Sequence, residues 1–285
     1  MMNVSIFDQG YFYMFNKDKT VADAQKVMLE ILKVVHKICI ENNITYFLDG
    51  GTLLGAIRHG GFIPWDDDVD ISMPRKEYER FLRIAPKYLP EDLLLQTSET
   101  EPEFDLPFAK IRKKGTLLLE FKETGKENYN HGIFIDIFPF DYYKYKWFLQ
   151  WNCWAGSVRG RRLKYKKGTL QRFFTTIYTH YLLFIPVELS SRILNYLSHH
   201  KEYFSDDKAE FMTFGLEWCE CYITRTNDIL PVKYVENVFE NCGFNIPNNP
   251  QAYLTGYFGP DYMQIPPKEK QMTHAKEIKL HIEEL

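Results

Sequence analysis

The sequence predicts an α+β protein, with strands and helices mixed in the first half and mostly helices in the second. Two observations lead to this prediction. Helical periodicity near the N-terminus gives way to short β-branched and aromatic runs between residues 44 and 138. From about Tyr142 the pattern changes to long segments of helical character. We therefore divide the 285 residues into a core, residues 1–141, and a mainly helical region, residues 142–285.

The first predicted element is a helix that begins at Thr20. Its apolar residues recur at intervals of three and four, which places them on one face. These residues are Val21, Ala24, Val27, Met28, Ile31, Val34, Val35 and Ile38. A short strand over residues 44–48 follows, and Gly50 and Gly51 turn the chain. Residues 52–58 have helical composition, with Thr52 as the expected N-cap.

The next predicted strand is the most informative segment of the chain. Four acidic residues lie among the five positions 66–70, and Asp68-Val69-Asp70-Ile71 alternates acidic with apolar side chains. Because alternation is the period of a half-buried strand, Asp68 and Asp70 should project from one face, about 6–7 Å apart. Pro74 then fits the first turn of a helix running to about Tyr88.

Four more extended segments complete the first half, over residues 93–97, 108–112, 117–121 and 131–138. The last is a β-branched and aromatic run interrupted by one carboxylate, Asp136. A buried, isolated carboxylate is costly unless it is paired or bound to a metal. An Asp that caps the turn before Pro139 is the structural alternative, but the acidic pair upstream favours a functional role.

Asp68, Asp70 and Asp136 are the candidate catalytic and metal-binding residues. Two like charges on one strand face raise each other's pKa unless a cation neutralises them. Mg²⁺ prefers one or two carboxylates together with substrate phosphates. With Asp136 beside the pair, the three would hold Mg²⁺ or Mn²⁺, and one of them would accept a proton from an attacking hydroxyl. This pattern predicts metal-assisted chemistry on a phosphate.

The acidic run has a second interpretation, a calcium-binding interaction module without catalysis. Asp66, Asp68, Asp70 and Glu77 have the spacing of the first, third, fifth and twelfth positions of a calcium loop. That loop needs glycine where Ile71 stands, and Pro74 falls in its middle. We therefore favour this interpretation less.

Candidate substrate-binding residues surround the acidic strand. Gly50, Gly51 and Thr52 would let backbone N–H groups approach an anion at a helix N-terminus, although a plain turn also explains a Gly-Gly pair. The nearby cations would stabilise charge on a phosphoryl group or be ordinary surface residues. They are Arg58, His59, Lys110, Arg112 and His131. Trp65 would stack on a base or a quaternary ammonium, or be buried beside the turn.

Composition limits the other classes of function. The net charge of −3 argues against a general nucleic-acid coat. Five cysteines without C-x-x-C spacing are typical of reduced thiols in a cytosolic protein. No basic region followed by an apolar run opens the chain, so we expect a cytoplasmic location. The longest apolar stretch, residues 173–187, is too short for a membrane-spanning helix.

Residues 142–187 contain nine Lys or Arg, no Asp or Glu, and thirteen interleaved aromatic residues. Peripheral contact with the inner face of a membrane is the favoured interpretation, because basic residues attract anionic headgroups and aromatic residues settle at the interface. A helical layer with inward-packed aromatic residues comes second. Binding of single-stranded nucleic acid comes third.

Residues 50–71 resemble the signature of the LicD family, which includes bacterial phosphocholine transferases and is related to the fukutin-related proteins. The resemblance continues through residues 73–75, 110–112 and 131–139 and returns between 253 and 267. It implies a nucleotidyltransferase-like mixed sheet flanked by helices. In that core, Gly51 and Thr52 would bind the donor diphosphate, Asp68 and Asp70 would bind Mg²⁺, and Asp136 would be the third carboxylate. Residues 142–285 would complete the substrate site.

The resemblance also implies a reaction. A phospho-alcohol such as phosphocholine would move from a CDP-linked donor to a hydroxyl of a cell-surface glycan or of its lipid-linked precursor. The enzymatic alternative is transfer of a nucleotidyl group to a sugar phosphate or to RNA, with release of pyrophosphate instead of CMP. An inactive relative that only binds glycans is a further alternative.

Overall fold

The computed structural model describes residues 17–104, 106–143, 209–214 and 223–282, together with positions 170, 173 and 177. Within these residues a seven-stranded mixed sheet forms the centre of the fold. Helices at residues 17–41, 50–59 and 75–84 pack against it. The α+β class and the mixed sheet flanked by helices are therefore confirmed.

The helices follow the predicted pattern closely. Helix α1 buries the apolar face predicted from Thr20 onward, with Ala24, Met28 and Val35 fully inside the core. The bounds are α1 Lys17–Glu41, α2 Gly50–His59, α3 Arg75–Ile84, α4 Thr226–Ile229 and α5 Pro250–Phe258. Single 3₁₀ turns lie at Ala85–Lys87 and Lys268–Lys270.

The strands of the first half also lie where the sequence predicts them, with shifts of a few residues at their ends. The bounds are β1 Phe47–Leu48, β2 Asp70–Pro74, β3 Leu93–Gln96, β4 Ala109–Lys113, β5 Leu117–Glu120, β6 Phe134–Tyr143, β7 Phe211–Phe214, β8 Thr224–Arg225, β9 Lys233–Phe239, β10 Cys242–Ile246 and β11 Ala275–Lys279.

Strand β6 is the centre of the sheet. The order is β1-β2-β6-β4-β3, with β7 added to β6 and β8 to β7. The pair β2–β6 is parallel, whereas the other pairs are antiparallel. Strand β4 pairs with the first residues of β6 and β7 with its last ones. Because β2 and β6 run the same way, their N-terminal ends, with the acidic residues, lie at the same edge.

The described part of the second half contains more strand than the sequence predicts. Among the described residues after 208, five strands and two short helices are present. Strand β7 pairs with β6, and β11 pairs with β5, so these segments join the sheets of the first half. The β-branched and aromatic runs of β7 and β9 favour strand over helix. The division at residue 141 stays a prediction.

The long helices predicted after Tyr142 fall mainly outside the described residues. Between residues 144 and 208 the structure describes only positions 170, 173 and 177, which are helical. Across the described ranges, none of the helices combines the length and apolar character needed to cross a bilayer.

Candidate active site

The candidate site lies where β2 and β6 begin. Asp70 is the direct register partner of Asp136 on the neighbouring parallel strand. The Asp136 N–H donates to the Val69 carbonyl at 2.7 Å, which fixes the two strand ends together. In-register residues of neighbouring strands point to the same face. The structure therefore brings together two carboxylates that are 66 positions apart in the sequence.

Asp66 and Asp68 extend the cluster from the loop that precedes β2. Asp68 was predicted on the strand, but β2 begins only at Asp70. Burial and the nearby Asp68 charge raise the pKa of both Asp66 and Asp70 well above the usual range. The Asp136 charge raises the pKa of Asp70 further. The four side chains therefore form one cluster of like charges.

Asp136 is repelled by the other carboxylates of the cluster and attracted by a buried cation, Lys110. Lys110 Nζ lies 3.0 Å from Asp136 Oδ1 and 3.3 Å from Oδ2. Burial raises the pKa of Asp136 to about 7, although Lys110 acts to lower it. Oδ1 is buried and has no partner with hydrogen-bond geometry among the described residues. Such an oxygen is a suitable ligand for a cation or an acceptor for a proton.

Gly50 and Gly51 begin helix α2 directly against this cluster. Gly50 has a φ of +47°, and a Cβ there would lie 3.1 Å from Asp70 Oδ2. A Cβ on Gly51 would lie 2.8 Å from Asp66 Oδ2. The φ of Gly50 favours glycine, and at Gly51 a larger residue would displace the Asp66 carboxylate. A helix N-terminus beside carboxylates that could hold a cation would suit a phosphate bound to that cation.

The cap of α2 differs from the sequence prediction. Asp49, not Thr52, is the N-cap, and its Oδ1 accepts from the Gly50 N–H at 2.6 Å. Ser72 Oγ and Tyr253 Oη also donate to the buried Asp49 carboxylate, which orients it for capping. The Thr52 hydroxyl instead accepts from the Asp70 N–H at 2.8 Å. Thr52 therefore links α2 to the start of β2.

Lys110 and Arg112 share one face of β4, as predicted, but both side chains are buried. Besides Asp136, Lys110 Nζ lies 3.5 Å from a Glu120 oxygen and 3.3 Å from the centre of the Phe134 ring. Arg112 donates to Gln96 Oε1 at 2.6 Å and to the Gly132 carbonyl at 2.9 Å. The contacts of both cations are therefore to protein groups, and binding of phosphate by them stays a prediction.

The structure places His131 outside the carboxylate cluster. Its ring nitrogens lie 3.5 Å from Glu123 Oε1 and 3.5 Å from Glu127 Oε2, and its ring packs on Tyr129. Both nitrogens are buried without a hydrogen-bond partner among the described residues. Binding of substrate by His131 also stays a prediction.

Arg58, His59 and Trp65 lie at the far end of α2. Arg58 Nη1 donates to the carbonyls of Tyr262 and Gln264 at 2.9 and 3.2 Å, so it holds the C-terminal segment. Burial lowers the pKa of His59, and the Arg58 charge lowers it further. The His59 and Trp65 rings meet edge to face at 6.3 Å. Trp65 is half-buried against the core. Stacking of Trp65 on a substrate therefore stays a prediction, beside the alternative of burial next to the turn.

Sequence reasoning missed three members of the site: Asp49, Asp67 and His274. Asp67 accepts from the backbone N–H groups of His274 and Ala275, and His274 Nδ1 lies 3.6 Å from Asp68 Oδ2. The Asp68 carboxylate raises the pKa of His274 to about 9. Asp67 was visible in the acidic run, but no local pattern marks His274, which comes from more than 200 positions away.

The residues present fit a divalent cation. Across the ranges that the structure describes, no group of three or more His, Cys, Asp or Glu side chains already has the arrangement of a metal site. The donor set, however, consists of carboxylate oxygens, which Mg²⁺ and Mn²⁺ prefer. The raised pKa values of Asp66 and Asp70, which burial and the neighbouring carboxylates cause, fit a missing positive charge. The carboxylates would hold the metal.

A calcium loop does not form at the acidic run. Asp70 begins strand β2, and Glu77 lies in helix α3, where its carboxylate is 3.7 Å from Arg80 Nη1. A calcium loop needs a sharp turn at its sixth position, where this chain has the strand residue Ile71. The backbone geometry therefore excludes this alternative.

Comparison with known proteins gives two levels of similarity. The sequence model described as LicD/FKTN/FKRP, nucleotidyltransferase domain, matches residues 43–186. The lipopolysaccharide cholinephosphotransferase LicD of Haemophilus influenzae is 30% identical over 276 residues, which is 90% of this chain and 97% of that protein. This similarity covers nearly the whole of both chains.

Two eukaryotic relatives match over shorter segments. Human ribitol 5-phosphate transferase FKRP is 36% identical over 61 residues, 21% of this chain and 12% of that protein. Mannosyltransferase regulator 4 of Saccharomyces cerevisiae is 31% identical over 85 residues, 29% of this chain and 7% of that protein. These local matches are much shorter than the match to the bacterial relative.

Proposed function

The chain belongs to the LicD/FKTN/FKRP family, and on this premise we propose that it transfers a phospho-alcohol to a hydroxyl group of a glycan. The names of two relatives describe transfer of cholinephosphate and of ribitol 5-phosphate. Both groups are alcohols joined to phosphate. The proposed donor is a CDP-linked alcohol, and the proposed acceptor is a cell-surface glycan or its lipid-linked precursor.

One observation carries the proposal: Asp70 and Asp136 are register partners beside the glycine-lined start of α2. The site thus offers carboxylates for a cation and backbone N–H groups for an anion at one place. A metal diphosphate presents both charges together, so it fits such a site. The similarity to LicD then favours a phospho-alcohol over a nucleotidyl group as the group transferred.

Different residues of the chain would bind the donor, hold the metal and support the helix cap. The N-terminal turn of α2, through the N–H groups near Gly51, would bind the donor diphosphate. Asp68 and Asp70, with Asp66 beside them, would hold Mg²⁺ or Mn²⁺. When bound, the metal would neutralise the donor phosphates and polarise the phosphorus. Tyr253 and Ser72 would keep the Asp49 cap in place by their hydrogen bonds.

The proposed chemical step is a single displacement. The acceptor oxygen forms a bond to the phosphorus that carries the alcohol, and the bond from that phosphorus to the CMP phosphate oxygen breaks. CMP leaves with the bonding electrons. The hydroxyl proton passes to Asp136, whose buried Oδ1 and pKa of about 7 suit a general base.

We further propose a cytoplasmic protein that contacts the inner face of the membrane through residues 142–187. Three described positions of this stretch support the idea. Leu170, Phe173 and Ile177 are helical, exposed and spaced so that they lie on one helix face. Sedimentation with vesicles tests it: binding to anionic vesicles but not to neutral phosphatidylcholine vesicles is expected, and equal recovery with both contradicts it.

Product analysis tests the reaction. The protein is incubated with Mg²⁺, an acceptor glycan and a panel of CDP-linked alcohols. Release of CMP, matched by phospho-alcohol on the glycan, is the expected result. Pyrophosphate release from nucleoside triphosphates would instead support nucleotidyl transfer.

A matched pair of variants shows whether any activity comes from this site. Asp70→Asn removes a carboxylate of the cluster. Asp92→Asn removes an exposed carboxylate that pairs with Lys113 elsewhere on the surface. The first should abolish CMP release, and the second should leave it unchanged.

A further inference from the structure

His274 reaches the acidic cluster from a part of the chain outside the matched residues 43–186. It lies directly before β11, which pairs with β5. The Phe121 N–H donates to the His274 carbonyl at 3.1 Å. The pairing of β11 with β5 therefore places His274 beside the acidic cluster and fixes its backbone.

Asp67 fixes the same backbone from the other side. Its Oδ1 accepts from the His274 N–H at 3.0 Å, and its Oδ2 accepts from the Ala275 N–H. The Asp67 side chain is almost completely buried. A buried carboxylate that accepts two backbone N–H groups is a strong anchor. The position of His274 is thus set by the acidic loop itself.

The imidazole of His274 stands at the rim of the cluster with one edge turned inward. Nδ1 lies 3.6 Å from both Asp67 Oδ1 and Asp68 Oδ2, while 57% of the side chain is exposed. Among the described residues, Nε2 has no hydrogen-bond partner. Nδ1 is therefore the nitrogen turned toward Asp67 and Asp68, and Nε2 remains available for a hydrogen bond to a bound ligand.

Among the residues that the structure describes, three other basic side chains of the predicted site contact protein groups. Lys110 is buried against Asp136, Arg112 is buried against Gln96 and Gly132, and Arg58 donates to two carbonyls. His274, in contrast, is more than half exposed. An anionic donor that approaches four carboxylates needs favourable polar contacts at the rim.

We propose that His274 is a substrate-binding residue that contacts the diphosphate of the donor through Nε2. The proposal rests on the proposed function, since it assumes a diphosphate donor at this site. It adds a residue that directly precedes β11 to a site otherwise built from the family signature. The competing role is purely positional: Nδ1 would hold Asp68 in place, and Nε2 would contact nothing.

Two amide variants separate these roles. In His274→Gln the amide nitrogen can occupy the position of Nε2, whereas in His274→Asn it lies near the position of Nδ1. His274→Ala removes both. His281→Ala is the matched control, because His281 is an exposed histidine in the same terminal segment. For each variant, kcat and KM for CDP-choline, calorimetric binding of CDP-choline with Mg²⁺, and the melting temperature are measured.

The proposal predicts that His274→Ala lowers kcat/KM by about 100-fold and weakens donor binding, with the melting temperature unchanged. His274→Gln should recover activity and binding to within about tenfold of wild type, and His274→Asn should behave like the alanine variant. The control should match the wild type.

Recovery by His274→Asn but not by His274→Gln would overturn the proposal in favour of positioning of Asp68. Wild-type kinetics and donor binding in His274→Ala would overturn it as well. If the wild-type protein binds CDP-choline but releases no CMP with any acceptor, the proposed reaction is wrong. The binding measurements then still decide whether His274 contacts the donor, and no donor binding by the wild type overturns the contact.

Discussion

Strands β2 and β6 have a cluster of negative charges at one end and a neutralised ion pair at the other. At the first end, Asp70 lies opposite Asp136, and Asp66 and Asp68 add further negative charge. At the second end, Pro74 pairs with Phe140, and the next residues form a buried ion pair. There, Arg75 donates from Nε and Nη2 to the two oxygens of Asp141 at 2.9 and 2.6 Å.

The two ends differ in whether their charges are balanced within the protein. The Arg75–Asp141 pair neutralises itself and has bidentate geometry, so it needs nothing from outside the chain. At the acidic end, Lys110 is the buried cation beside Asp136, and the pKa values of Asp66 and Asp70 are raised. A cluster of like charges destabilises the folded protein unless a cation binds. We infer that one end stabilises the fold and the other serves the reaction.

The largest expected effect is on activity and comes from the acidic end. Asp70→Asn should lower kcat by at least about 1,000-fold, because the site loses a metal-binding charge. Its melting temperature should be unchanged or higher, since a repulsive buried charge is removed. CMP release and thermal unfolding measure the two effects. Wild-type activity in this variant would show that the reaction does not need the Asp70 carboxylate.

The opposite result is expected at the ion-pair end. Asp141→Asn leaves the Arg75 guanidinium buried without its countercharge and should lower the free energy of unfolding by about 3–5 kcal/mol. Activity per folded molecule should change little. Urea unfolding followed by tryptophan fluorescence measures the loss. A variant as stable as the wild type would show that the pair is not structural.

A smaller effect on activity is expected at the start of α2. Gly51→Ala places a Cβ 2.8 Å from Asp66 Oδ2, so the carboxylate must move. We expect kcat/KM to fall about tenfold with little change in stability. Gly50→Ala is the comparison, because the φ of +47° at that position adds backbone strain and should lower the melting temperature. Equal effects of the two variants would contradict this distinction.

The smallest effect is expected at the helix cap. Tyr253→Phe removes the hydroxyl that donates to Asp49, and both groups are buried. The free energy of unfolding should fall by about 1–2 kcal/mol, and activity should fall less than in Gly51→Ala. Thermal unfolding at fixed Mg²⁺ measures this change. A loss of activity without a loss of stability would instead place Tyr253 in contact with substrate.

The sequence predicted the parts of the site that are local in the chain. The alternation Asp68-Val69-Asp70-Ile71 indicated a strand, although β2 begins at Asp70 and Asp68 lies in the preceding loop. The lone carboxylate in an apolar run identified Asp136, and the register of β2 and β6 placed it beside Asp70. The two glycines were predicted next to the cluster, and the structure places them there.

The contacts that could not be predicted are those between distant segments. Thr52 looked like an N-cap, but Asp49 has that role because Ser72 and Tyr253 orient its carboxylate. Lys110 was expected to contact phosphate or to be an ordinary surface cation, yet the pairing of β4 with β6 buries it against Asp136. His274 carries no local pattern. In each case the partner lies on another element, and only tertiary packing selects it.

The binding of Mn²⁺ tests directly whether the acidic end of β2 is a metal site. Wild type, Asp70→Asn and Asp141→Asn are titrated with Mn²⁺ by calorimetry in the presence of CDP-choline. Wild type and Asp141→Asn should bind the ion with similar affinity, and Asp70→Asn should not bind it. Equal binding by Asp70→Asn and the wild type would contradict the claim that the carboxylates at the start of β2 form a metal site.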